Sequence, residues 1–141
     1  MMVNEAVVHL IDDDASIRES LANLLRAKDL HVRTYECAGA FLKVLPEVEA
    51  GCIVTDLQMP QVDGLELIRR VRDFGSNMPV IVISGRSDIW LAAQAARAGA
   101  IGFLKKPIDS DLLIASIHSA FACGEFSGTR EPIALEQQRS G

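Results

Sequence analysis

Positive charge is scarce in this chain: 14 Lys and Arg face 19 Asp and Glu, a formal net charge of −5. The broad cationic surface that phosphate-backbone binding requires is missing, so no direct nucleic-acid binding by this domain is expected. Cysteine is also sparse. Cys37, Cys52 and Cys123 form an odd count with no C-x-x-C spacing, which excludes a disulfide framework and a zinc knuckle and leaves small apolar thiols in a reducing compartment. His9, His31 and His118 are scattered, and structural or surface roles are assigned to them. Long apolar runs are absent as well. The longest aliphatic run covers residues 79–83, far short of the roughly 18 residues that span a bilayer. The first residues carry Glu5, no basic cluster, and an apolar stretch that ends at Asp12, unlike a secretory signal. A cytoplasmic protein with no membrane contact is expected.

What is present is a foldable composition: 141 residues, 49% hydrophobic and 23% charged, enough for one domain and a short appendage. Short strand-like runs at 6–11, 32–35, 52–56, 80–84 and 102–105, β-branched in all but the last, alternate with helical patterns. Their pitch suits a strand plus one crossover helix. The first helix carries the stripe Ile17, Leu21, Leu24, Leu25 and opens with a capping-box pattern, Ser16-x-x-Glu19. The second, 38–45, ends before Pro46, and the third buries Leu67, Ile68 and Val71. The fourth, near 91–98, is alanine-rich and stops at Gly99, while the fifth, 110–122, takes Asp109 as its N-cap. Strands one, three and four are apolar at almost every position, the mark of a parallel sheet covered on both faces. Right-handed crossovers then favour a doubly wound α/β fold of flavodoxin-like order 2-1-3-4-5 with five helices. Residues 1–122 form this domain. Residues 123–141, glycine-bearing and poor in large apolar side chains, read as a linker or tail too short for a further domain.

Polar residues gather at the strand ends. Asp12, Asp13 and Asp14 follow strand one, Asp56 ends strand three, Ser84 ends strand four, and Lys106 follows strand five. In an open α/β sheet these ends share one edge, and ligands bind where the strand order reverses. Carboxylates about 5 Å apart repel by roughly 3 kcal/mol at an effective dielectric near 20. A divalent cation removes that conflict, and an all-oxygen set suits Mg2+. A hard cation and an ammonium flanking a carboxylate are equipment for phosphoryl transfer, with Asp56 as the nucleophile.

Four segments then carry a family pattern: Val8-His9-Leu10-Ile11-Asp12-Asp13-Asp14, Val54-Thr55-Asp56-Leu57-Gln58-Met59-Pro60 with Asp63-Gly64, Val80 to Gly85 around Ser84, and Phe103-Leu104-Lys105-Lys106-Pro107. Together they resemble the CheY-like receiver domain of bacterial two-component response regulators, most of all the FixJ type. The resemblance implies that Asp56 accepts a phosphoryl group from a sensor histidine kinase, that Asp12, Asp13 and Asp56 hold Mg2+ with the Gln58 main-chain carbonyl, and that Lys106 is the ion-pairing lysine. It further implies a switch made of Ser84 and Phe103, acting on the surface of helix four, strand five and helix five. Lifetime-tuning positions fall at Gln58 and Arg86, and a cis peptide is expected before Pro107. Such a domain is no enzyme beyond its own phosphorylation and dephosphorylation. The resemblance leaves two alternatives open, a stand-alone receiver acting through protein contacts or a receiver followed by a C-terminal DNA-binding domain, and it allows a phosphorylation-dependent homodimer. Trp90, the only tryptophan, is expected to pack on the loop beside it rather than to anchor a partner.

Two rivals share the fold chemistry. Asp12-x-Asp14-x-Ser16 fits the nucleophile loop of haloacid-dehalogenase-like Mg2+ phosphatases, but that reading leaves Asp56 idle and lacks the later acidic pair. A flavin-binding module needs a Ser/Thr/Gly-rich turn after strand one, where this chain has Asp-Asp-Asp-Ala-Ser.

Overall fold

A computed structural model describes residues 6–86 and 89–129, with side chains to Ala122. The strand-like runs form β1 (Val7–Ile11), β2 (His31–Tyr35), β3 (Gly51–Asp56), β4 (Val80–Ser84) and β5 (Gly102–Lys105). Between and after them lie α1 (Ala15–Ala27), α2 (Ala38–Val44), α3 (Gly64–Phe74), α4 (Ile89–Ala98) and α5 (Ser110–Thr129). The strands pair in parallel in the order β2-β1-β3-β4-β5, as the apolar runs predict.

Alternation along β1 divides the core. Val8 and Leu10 join Leu21 and Leu25 of α1 and Leu113 and Ile117 of α5 on one face. Ile11 joins Phe41 of α2, Leu67, Ile68 and Val71 of α3, and Ala95 of α4 on the other. β1 and β4 are buried along their whole length, because helices cover both faces.

Several element ends differ from the sequence reading. α1 starts on Asp14, whose side chain accepts from the Ile17 N–H at 3.1 Å. The Ser16/Glu19 capping box does not form, since Asp14 stands nearer the end of β1 and takes the cap first. α2 stops at Val44 and a 3-10 turn, Leu45–Glu47, accommodates Pro46. α5 continues to Thr129, past Ala122. No proline lies between Pro107 and Pro132, and Gly124 and Gly128 only weaken a helix. Residues 130–141, and the side chains from Cys123 onward, lie outside those described. Gly99 does end α4, with φ +117°, and Asp109 does cap α5, accepting from the Leu112 N–H.

His9 is wholly buried in β1. The Glu49 carbonyl accepts from Nε2 at 2.9 Å, so Nε2 carries the proton and Nδ1, 3.0 Å from the Tyr35 hydroxyl, is the acceptor. Burial, opposed by the Glu49 carbonyl and charge, holds the imidazole below its ordinary pKa of 6.5. The unfolded chain therefore takes a proton before the folded one does. Stability is full above about pH 6.5 and falls as pH drops below it, by at most about 1.4 kcal/mol per pH unit. Thermal midpoints between pH 7.5 and 5.5 should decline more steeply in the natural protein than in His9→Gln; equal slopes would remove His9 from the account.

Candidate functional site

The crevice lies where the sheet reverses, above the carboxyl ends of β1 and β3. Asp12 leaves β1 with only 1% of its surface exposed, and Asp56 ends β3 at 7%. One carboxylate oxygen from each of Asp12, Asp13 and Asp56 lies within 4.8 Å of the others. Asp12 Oδ1 accepts from the Asp14 N–H at 2.9 Å. Its Oδ2 is buried with no hydrogen-bond partner among the described residues. Burial first, then the neighbouring Asp56 charge, pushes the Asp12 carboxyl above its ordinary value.

Lys106 supplies the cation. Its Nζ lies 3.2 Å from Asp56 Oδ2 and 3.7 Å from Asp12 Oδ2. Its backbone N–H donates to the Ser84 carbonyl at 2.8 Å, which fixes the end of β5 beside β4, and the Lys106–Pro107 peptide is cis, as the sequence resemblance implies. Asp56 Oδ1 accepts from the Gln58 N–H at 3.3 Å. Ser84 is fully buried, and its Oγ accepts from the Arg86 N–H at 3.1 Å. Phe103 is half-buried and packs on the core that holds Ala95. Gln58 and Arg86 are exposed on either side. Trp90 leaves 67% of its surface exposed, and residues 87 and 88 of the loop on which it is expected to pack lie outside those described.

The donor set fits a small hard cation. Three carboxylates beside a single ammonium leave excess negative charge, and Oδ2 of Asp12 accepts no hydrogen bond, its nearest cation being the Lys106 ammonium at 3.7 Å. Cys52, by contrast, is inert, its thiol pushed up to about 12 by burial.

Two supporting residues escape a sequence reading. Gly64 opens α3 directly beneath Asp56: a Cβ there would stand 2.8 Å from the Asp56 carbonyl oxygen and 2.9 Å from Leu57 Cα. The Asp63-Gly64 pair was its only signal. Arg18, one turn into α1, donates to the Asp12 main-chain carbonyl at 2.7 Å, and a basic residue four positions after Asp14 was the only hint. The phosphatase alternative finds no support, because its second aspartate, Asp14, is spent as the α1 cap and lies outside the carboxylate cluster.

Comparison with known proteins agrees with this geometry. Residues 8–118 match the family model of the response regulator receiver domain. The chain is 38% identical over 135 residues to the transcriptional regulatory protein FixJ of Bradyrhizobium diazoefficiens, covering 96% of this chain and 66% of that protein. It is 42% identical over 129 residues to FixJ of Azorhizobium caulinodans, covering 92% and 61%. It thus spans less than two thirds of the length of these relatives. Among solved structures, FixJ-N superposes with a TM-score of 0.81 at 38% identity, covering 85% of this chain and 96% of that one. Full-length FixJ from B. japonicum gives 0.82 at 38% identity, covering 89% and 62%. Among the described residues no helix is long and apolar enough to cross a membrane. With an acidic, lysine-flanked crevice on a 2-1-3-4-5 sheet and a family match over most of its length, this chain belongs to the response regulator receiver domain family, of the FixJ type.

Proposed function

We propose that Asp56 accepts a phosphoryl group from the phosphohistidine of a sensor kinase. A carboxylate oxygen of Asp56 attacks phosphorus, the phosphorus–nitrogen bond of the donor breaks, and the imidazole leaves. The observation that carries this reading is the meeting of Asp12, Asp13 and Asp56 oxygens within 4.8 Å, with Lys106 Nζ 3.2 Å from Asp56.

Asp12, Asp13, Asp56 and the Gln58 carbonyl would hold Mg2+, which when bound neutralises charge on the transferring oxygens. Lys106 pairs with Asp56 before transfer and with the phosphoryl group after it. Ser84 turns its hydroxyl toward that group and gives up the Arg86 N–H, releasing the connection into α4. Phe103 follows inward, and the surface of α4, β5 and α5 changes. Gln58 and Arg86, exposed beside the crevice, set how readily water reaches the acyl phosphate. Because the relatives are named transcriptional regulatory proteins, we assign this domain, residues 1–122 with the extension of α5 to Thr129, to the cytoplasmic control of a transcription regulator, with the residues beyond as linker and phosphorylation favouring a homodimer.

Acetyl phosphate with Mg2+ should add one phosphoryl mass per chain, and chelation should prevent it. An unmodified chain, or continuous release of phosphate at enzyme-like turnover, would overturn the reading. Lys106→Ala should still be modified, yet the accompanying change in Trp90 fluorescence should shrink severalfold, since a hydrogen bond to a charged donor contributes roughly 1.5–3 kcal/mol. An undiminished change would uncouple Lys106 from the switch.

A further inference from the structure

Helix α4 is held unequally at its two ends. At the far end, Arg72 of α3 reaches across: Nη1 donates to the Ser76 and Met78 carbonyls at 3.2 and 2.8 Å, and Nη2 donates to the Gly99 carbonyl at 3.2 Å. Gly99 and Ala100 both donate N–H groups to the Ala95 carbonyl, and the Ile101 N–H donates to Val80 of the sheet. The fit around Arg72 is close. A Cβ at Gly99 would lie 3.2 Å from Arg72 Nε, and the φ of +117° suits glycine alone.

At the near end the first side chains of the helix are little buried. Ile89 and Trp90 are 87% and 67% exposed, and Ala95 is the only fully buried residue of α4. Alanine faces interlock weakly, because each side chain has few atoms to contact. Below Leu91 a groove of about 400 Å³ opens between α4 and the segment after Asp56, lined by Leu57, Met59, Pro60 and Leu65. The first turn of α4 therefore has space beside it, and the connection to it is tied to Ser84 through the Arg86 N–H.

We propose that Arg72 is the fulcrum of α4: on phosphorylation the Ile89–Leu91 end swings while the Gly99 end stays clasped. Arg72 is a positioning residue, and its planar fork of donors can span three carbonyls where the single ammonium of a lysine cannot. The inference rests on phosphorylation at Asp56.

Amide exchange followed by mass spectrometry on the full chain, with and without beryllofluoride and Mg2+ as a phosphoryl mimic, tests it. In the natural protein the mimic should raise exchange in residues 89–94 and leave residues 95–101 within about twofold. In Arg72→Met the mimic should raise exchange in 95–101 severalfold over that variant's own resting rate, because the Gly99 end is no longer held against the swing. Arg72→Lys, which keeps the charge and one bond, should show a smaller rise in the same segment, and it carries the test if the Met variant folds poorly. A merely structural clasp would raise exchange equally with and without the mimic, and that result overturns the fulcrum, as does equal opening of both halves in the natural protein. Mass uptake from acetyl phosphate separates the two ideas: uptake with a uniform α4 response defeats the fulcrum alone, whereas no uptake defeats the phosphorylation reading and the fulcrum with it.

Discussion

Asp56→Asn, treated with acetyl phosphate and Mg2+, is expected to gain no phosphoryl mass under conditions that saturate the natural protein. The amide lacks the anionic oxygen that attacks phosphorus, and a nucleophile removed from the reacting position lowers the rate by several orders of magnitude. The fold should survive. Losing the Lys106 partner costs stability, but the substitution also removes one of three clustered negative charges, and the two effects oppose each other. A thermal midpoint within a few degrees of the natural protein would show that the loss is chemical. Equal modification of the variant would place the acceptor elsewhere.

Asp12→Asn should act in opposite directions with and without metal. Without Mg2+, the buried Asp12 carboxylate bears an orphaned oxygen and faces a second carboxylate. Neutralising it should stabilise the domain by about 1 kcal/mol, roughly 3–5 °C in thermal midpoint for a chain of this size. With Mg2+ the same substitution removes a ligand charge worth on the order of 3 kcal/mol, so affinity should fall about 100-fold. Thermal melts across a Mg2+ titration read both effects. A variant less stable than the natural protein without metal, with an unchanged Mg2+ response, would contradict the site.

Much of this was legible because the relevant signals are local. β4 and β5 fall on the runs 80–84 and 102–105 that the sequence marks as strands, and Gly99 and Asp109 mark helix ends that need only neighbouring residues to form. The strand-end positions of Asp12, Asp56, Ser84 and Lys106 follow from the same runs, and parallel topology brings such ends to one edge. Misreadings arose where two local solutions compete. Asp14 and Ser16 are both competent caps, and the choice falls to Asp14 because β1 ends at Ile11 and fixes where the chain can turn.

By itself, then, the sequence determined the order of strands and helices and the acidic edge on which Asp56 stands, since periodicity and strand-end placement are properties of short segments. Only the tertiary structure decided how close the carboxylates stand, which oxygen of Asp12 is left without a partner, and that Arg72 clasps Gly99 across 27 residues. Those facts depend on distances between segments remote along the chain, which packing sets and no local pattern encodes.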